Sequence, residues 1–125
     1  MFKIVLATSR SQAWQRFTAA LSQEPDVQVK LSASGAAALE AVQASAPHLV
    51  VIDAGLPDAS PLDLVRKLLL VNAMVNTAVV SPLGEAEFHE ASEGLGVLSR
   101  LPQEPGPGEA GELLQKLKAI LGGMT

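Results

Sequence analysis

The sequence predicts a doubly wound α/β domain, in which a sheet of five parallel strands is covered by helices on both faces. Short apolar runs alternate along the chain with longer segments whose apolar residues recur every three or four positions. The pair occurs five times in 125 residues, without an internal repeat. The second run also contains polar residues at alternate positions, which is typical of an edge strand and agrees with the strand order 2-1-3-4-5.

The five predicted strands are short and bounded by turn residues. Residues 49–52 are entirely apolar, as expected for a strand buried on both faces. Apolar and polar residues alternate through residues 27–31, so this strand has one face in contact with water. The strands are predicted at residues 3–7, 27–31, 49–52, 77–81 and 96–99.

A segment with helical periodicity follows each strand. In the first, Trp14 and Phe17 lie on one face of the predicted helix. The third begins with Ser60 as a capping residue and Pro61 at the first helical position, and Asp63 is placed to complete a capping box. The helices are predicted at residues 9–22, 35–46 and 61–71, at residues 85–93, and after a Pro/Gly-rich loop from residue 109 to Gly122.

Length and composition limit the class of protein to which the chain can belong. The length predicts a single domain over residues 1–125, with a C-terminal tail at residues 121–125. The absence of cysteine excludes disulfides and thiolate chemistry, and the two histidines are too far apart in sequence for a ligand motif. With a net charge of −4 and no block of Lys or Arg, nucleic acid and anionic membrane surfaces are poor partners.

Neither a secretory signal nor a membrane span is predicted. The first residues read as a strand, and no run approaches the roughly 18 apolar residues that a membrane helix requires. We therefore expect a cytoplasmic protein. Nothing in the pattern indicates a catalytic constellation, so we expect no enzymatic activity.

The predicted topology brings a small set of residues to one edge of the sheet. Asp53 ends the buried third strand, and open α/β sheets bind their ligands at the carboxyl ends of such strands. Around it we expect Ala7 and Thr8 after the first strand, Ser81 after the fourth and Arg100 after the fifth. Asp53 is therefore the first candidate for a functional residue.

Several motifs in this order resemble one known family. Residues 33–41, Ala-Ser-Gly-Ala-Ala-Ala-Leu-Glu-Ala, resemble its second-helix signature. Residues 47–53, Pro-His-Leu-Val-Val-Ile-Asp, followed by Leu56 and Pro57, resemble the strand around its phospho-accepting aspartate. The chain thus resembles the CheY-like receiver domain of bacterial two-component response regulators. The resemblance implies a flavodoxin-like three-layer sandwich.

The same resemblance implies site roles. In that family a partner histidine passes a phosphoryl group to an aspartate, which Asp53 matches. Mg²⁺ is held by that aspartate, by two carboxylates after the first strand, and by a backbone carbonyl that Gly55 matches. Ser81 matches the hydroxyl that contacts the phosphoryl group, and Arg100 stands where the family has a lysine.

The residues after the first strand depart from the family and indicate a degenerate member. Ala7 and Thr8 replace the acidic pair, which should reduce Mg²⁺ binding to a weak site on Asp53 and Gly55 at most. Without those carboxylates, an ion pair between Arg100 and Asp53 could fill the space of the metal. Arg10 could do the same, but a solvated position at the start of the helix is the favoured interpretation. For Thr8 a turn or capping role is favoured.

Three functions stay open at this point. The preferred one is a stand-alone receiver-like signalling module without a cofactor, which acts through protein–protein interaction. The alternative is a working phospho-receiver that uses Asp53 and Mg²⁺. A third, from another class, is a flavodoxin-like protein that binds a small ligand or anion at the hydroxyl-rich loop of residues 8–11.

The expected partner is a protein. Seven acidic residues and one basic residue, Arg100, lie between Glu85 and Glu112, the segment of the fourth helix, fifth strand and fifth helix. In the family this face contacts partners and mediates dimers. A histidine kinase or a downstream signalling protein is therefore expected there, and a homodimer is left open. A solvated acidic face without a partner is the other interpretation.

Overall fold

A parallel five-stranded sheet lies at the centre of the molecule, in the order β2-β1-β3-β4-β5 that the sequence predicts. The computed structural model describes residues 2–122. All four strand pairs are parallel. The strands are β1 (Phe2–Ala7), β2 (Val27–Ser32), β3 (Leu49–Ile52), β4 (Asn76–Val80) and β5 (Val97–Leu101).

Five α-helices cover the two faces of the sheet. Their bounds are α1 (Gln15–Ser22), α2 (Gly35–Ala44), α3 (Pro61–Val71), α4 (Glu85–Ala91) and α5 (Pro107–Gly122). One buried apolar cluster joins the sheet to α1 and α5, and a second joins it to α2, α3 and α4. Every residue of β3 is buried, because helices cover it on both faces and β1 and β4 pair with its two edges.

The fold class is confirmed, while several element boundaries differ from the prediction. The first helical segment begins with a 3-10 turn at Ser11–Trp14, so residues 8–10 form a loop. Strand β5 extends two residues beyond the predicted end, and Arg100 therefore lies inside the strand. The predicted capping box at α3 is not formed, because Ser60 makes no side-chain cap and Asp63 binds Arg66 at 2.8 Å.

Helix α2 is capped from two positions. The Ser34 side chain accepts a hydrogen bond from the backbone N–H of Ala37 at 3.1 Å. The Asp58 carboxylate, which belongs to the loop between β3 and α3, accepts hydrogen bonds from the N–H groups of Gly35 (2.8 Å) and Ala36 (2.9 Å). These bonds from Ala36 and Gly35 lower the pKa of Asp58. The cap therefore ties α2 to the loop that follows Asp53.

No helix within residues 2–122 is long and apolar enough to cross a membrane. Of the tail predicted at residues 121–125, the first two residues belong to α5. Residues 123–125 lie outside the described residues. Helix α5 itself extends to Gly122.

Candidate functional site

Asp53 occupies the predicted position directly after β3, and its side chain is completely buried. Its backbone N–H donates to the carbonyl of Ala7 at 2.9 Å, which continues the pairing of β1 with β3. A buried carboxylate is unfavourable unless it is hydrogen-bonded and compensated by a cation. The surroundings of Asp53 must therefore supply both.

Arg10 supplies the cation. Its Nε donates to Asp53 Oδ2 at 2.9 Å, and its Nη2 donates to Oδ1 at 2.7 Å. This is the two-pronged geometry in which a guanidinium matches a carboxylate best. The Arg10 side chain is 39% exposed, so the ion pair has one buried and one partly solvated member.

Thr8 supplies a further donor to the carboxylate. Its Oγ1 donates to Asp53 Oδ2 at 2.6 Å and accepts a hydrogen bond from the backbone N–H of Arg10 at 2.9 Å. The second bond closes a tight turn over residues 8–10. This turn holds Arg10 close to the end of β1. Thr8 thus has the predicted turn role, and it also contacts Asp53.

These contacts determine the charge state of the site. Burial alone would raise the pKa of Asp53, but the hydrogen bonds from Arg10 and Thr8 outweigh it and the pKa is lowered. The charge of Arg10 adds to this effect. Among the described residues, the buried Trp14 indole N–H makes no hydrogen bond. The hydrogen bond to Asp53 raises the pKa of Arg10 in turn. At neutral pH the pair is fully ionised.

Arg10 also contacts the loop between β5 and α5. Its Nη2 donates to the backbone carbonyl of Gln103 at 3.0 Å. One guanidinium therefore joins three segments: the β1–α1 loop that carries it, the end of β3, and the β5–α5 loop. The nearby charge of Glu104 also raises the pKa of Arg10.

The predicted pair between Arg100 and Asp53 is not formed. Arg100 pairs with Val79 inside the sheet, and its exposed side chain lines a surface groove of about 320 Å³ with Glu85, Phe88 and His89. Within residues 2–122, no hydrogen bond or ion pair joins Arg100 to Asp53. The interpretation of Arg10 as a merely solvated residue is corrected as well: its side chain is 39% exposed, but it pairs with Asp53.

The other predicted site residues lie at this edge of the sheet but do not bond the carboxylate. Ser81 follows β4, and its Oγ accepts a hydrogen bond from the N–H of Leu83 at 3.1 Å. Gly55 lies in the β3–α3 loop with a φ of 79°, a backbone conformation that favours glycine. Ala7 is buried and contributes its carbonyl to the strand pairing. Of the predicted set, only Thr8 makes a side-chain hydrogen bond to Asp53.

The residues present do not fit a Mg²⁺ ion. Magnesium requires oxygen ligands, with carboxylates preferred. Both oxygens of Asp53 already accept hydrogen bonds from Arg10 or Thr8, and the side chain of Ala7 has no ligand atom. In the described part of the chain, no group of three His, Asp or Glu side chains could hold a metal ion. The Arg10 guanidinium provides the positive charge beside Asp53.

Sequence reasoning undervalued Arg10, although a signal for it existed. An aspartate at the end of a fully apolar strand, with Ala7 and Thr8 beside it, needs a cation from a nearby loop. Arg10 is two residues from Thr8 on such a loop. Its reach to a residue 43 positions away depends on side-chain length and turn geometry, which periodicity does not report.

No family model and no curated protein matches the sequence. Solved structures match the fold over nearly the whole chain. The N-terminal domain of an uncharacterized protein from Wolinella succinogenes has a TM-score of 0.83 at 20% identity, with all of both chains covered.

Two further structures are response regulators. One, from Clostridium difficile, has a TM-score of 0.81 at 18% identity, with 100% of this chain and 99% of the other covered. The chemotaxis response regulator CheY4 of Vibrio cholerae has a TM-score of 0.80 at 16% identity, with 94% and 98% covered. The strand order 2-1-3-4-5 and these likenesses lead to one conclusion: the chain has the fold of CheY-like response regulator receiver domains.

Proposed function

We propose that this chain is a receiver-like signalling module that acts by binding other proteins and does not require phosphorylation. The observation that carries the proposal is the two-pronged ion pair between Arg10 and the buried Asp53. In a receiver, the aspartate must present a free carboxylate oxygen to the phosphoryl donor. Here the corresponding carboxylate is bound within the protein.

The chemistry of phosphoryl transfer explains why this arrangement is inhibitory. Transfer to a carboxylate requires an accessible oxygen nucleophile, together with a cation that neutralises the charge of the phosphoryl oxygens. Asp53 is completely buried, and Thr8 and Arg10 engage both of its oxygens. A phosphoryl group would have to displace Arg10 before it could reach Asp53, and no carboxylate pair is present to bring a metal ion.

The surface that fits a protein partner is the acidic face formed by α4, β5 and α5. Four glutamates of α4 and the residues after it are exposed: Glu85, Glu87, Glu90 and Glu93. Beside them runs the groove that contains Phe88 and Arg100. A groove lined by polar and apolar side chains, beside several exposed carboxylates, fits a partner segment that carries basic residues.

The phospho-receiver is the second candidate, since Asp53 holds the acceptor position of that fold at the end of β3. An anion-binding role for residues 8–11 has less support, because the Thr8 hydroxyl and the Arg10 guanidinium are both engaged by Asp53.

Intact-mass analysis after incubation with acetyl phosphate and excess Mg²⁺ tests the proposal. The native protein should gain no phosphoryl adduct under conditions that label an ordinary receiver. An Mg²⁺-dependent adduct that is absent from the Asp53→Asn variant would overturn the proposal in favour of the phospho-receiver.

Photo-crosslinking in the native host tests the partner face. A photoreactive residue in place of Glu87 should give a discrete protein adduct that Glu90→Lys removes. The same residue in place of Gln28, exposed on β2, is the control and should not give that adduct. An adduct of equal yield from both positions would contradict the assignment of the face.

A further inference from the structure

The Nη2 atom of Arg10 donates hydrogen bonds both to Asp53 and to the β5–α5 loop. Nη2 donates to Asp53 Oδ1 at 2.7 Å and to the backbone carbonyl of Gln103 at 3.0 Å. The other hydrogen bond to Asp53, from Nε to Oδ2, fixes the plane of the guanidinium. The orientation that Asp53 imposes on Arg10 is therefore the one that places Nη2 on Gln103.

The start of the β5–α5 loop has few other attachments. Leu101 ends β5 and is buried, and Gly106 is held by its N–H, which donates to Glu109 Oε1 at 2.7 Å. Of the residues between them, residues 102–104 are exposed and Pro105 is buried. Among the described residues, the bond from Arg10 is the one hydrogen bond that joins residues 102–104 to the remainder of the protein.

We propose that Arg10 is a latch that makes the position of the β5–α5 loop depend on the charge of Asp53. The inference rests on the proposed function, and it assigns regulation to the same site. The loop connects β5 to α5, which are two of the three elements of the acidic face. Breaking the ion pair between Arg10 and Asp53 would free the loop and alter that face.

Electrostatics supports the latch. The buried carboxylate and Arg10 interact in surroundings that water screens only partly, so the pair is stronger than one on the surface. The carbonyl of Gln103 is neutral and belongs to an exposed residue, so its bond to Arg10 is weaker than the ion pair with Asp53. The loop contact therefore depends on Asp53 to hold the guanidinium in place.

Spin-label mobility at position 103 tests the latch. The chain contains no cysteine, so Gln103→Cys gives a unique labelling site, and it preserves the backbone carbonyl that Arg10 binds. The spectrum should show an immobilised component that is lost in both Arg10→Gln and Asp53→Asn. A label at Ala73→Cys, in the exposed turn after α3, should not change in either variant.

The two variants distinguish the possible outcomes. Loss of the immobilised component in Arg10→Gln but not in Asp53→Asn would overturn the latch, because the loop would then be held without Asp53. No change in either variant would overturn it as well. Circular dichroism confirms that each variant is folded. The result is independent of phosphodonor labelling, so failure of the latch and failure of the proposed function can be told apart.

Discussion

The guanidinium of Arg10 binds both carboxylate oxygens of Asp53, at 2.9 Å from Nε to Oδ2 and 2.7 Å from Nη2 to Oδ1. The two residues are 43 positions apart, and the pair joins the loop after β1 to the end of β3. In a CheY-like fold, ligands bind at these carboxyl ends of the strands. Here the Arg10 guanidinium occupies that position.

Removal of the cation should destabilise the protein. Arg10→Ala leaves the buried Asp53 carboxylate without its charge partner. The loss of one member of a fully buried pair costs about 3–5 kcal/mol, and because Arg10 is 39% exposed we expect about 2 kcal/mol. Urea denaturation measures the difference. Arg16→Ala, at an exposed position of α1, is the matched control and should change stability by less than about 0.5 kcal/mol. Equal effects of the two variants would contradict the buried pair.

The contribution of Asp53 should depend on pH in a defined direction. Burial raises the pKa of Asp53, but the hydrogen bonds from Arg10 and Thr8 lower it below the ordinary value of 3.8. A carboxyl whose pKa is lower in the folded state stabilises the protein above its unfolded pKa, and this stabilisation disappears as the pH falls through the folded pKa. The difference in unfolding free energy between the native protein and Asp53→Asn should be constant above about pH 5 and should shrink below about pH 4. A difference that grows in acid would contradict this assignment.

The Thr8 hydroxyl should stabilise the folded protein through two hydrogen bonds. Thr8→Val preserves the shape of the side chain but removes the donor to Asp53 and the acceptor for the N–H of Arg10. Because the site is buried, we expect a loss of about 1–3 kcal/mol in the free energy of unfolding. Thr8→Ser retains the hydroxyl and should lose clearly less. Should the two variants lose the same amount, the effect would come from packing and not from the hydroxyl.

The cap that Asp58 places on α2 should be detectable by thermal unfolding. Asp58→Ala removes the acceptor for the N–H groups of Gly35 and Ala36 and should lower the Tm. Asp58→Asn retains one acceptor oxygen and should lower the Tm less. Glu40→Gln, which changes one charge on α2 away from the cap, is the control. The account of the cap fails if Asp58→Ala and Glu40→Gln unfold at the same temperature.

The fold was predictable because its signals are local and repeated. The apolar run of β3 and the helical periodicity of α1 follow from which faces are buried. In β2, Val27 and Val29 are half-buried, but Leu31 is 54% exposed, so the alternation predicts the inner face only in part. Their order then limits the topology to a doubly wound sheet. The position of Asp53 at the end of a buried strand follows from the same pattern.

The contacts of the site were harder to predict, because they depend on where strands end and how far side chains reach. The prediction ended β5 at residue 99, which would have left Arg100 in a loop beside Asp53. The extra ladder pairs of Arg100 with Val79 and Leu101 with Val80 place it inside the strand. The Arg10–Asp53 pair and the cap of α2 by Asp58 are long-range contacts of polar side chains, which leave no periodic signal.

The NMR signal of the Arg10 Nε–H group in ¹⁵N-labelled protein reports directly on the ion pair between Arg10 and Asp53. Arg10→Lys assigns the signal, and excess Mg²⁺ is then added to the native protein. We expect a slowly exchanging Nε–H resonance, distinct from those of the other arginines, that Mg²⁺ does not move. A rapidly exchanging signal at the position of a free arginine, or one that Mg²⁺ displaces, would show that Asp53 is available to a metal ion and would contradict the closed ion pair.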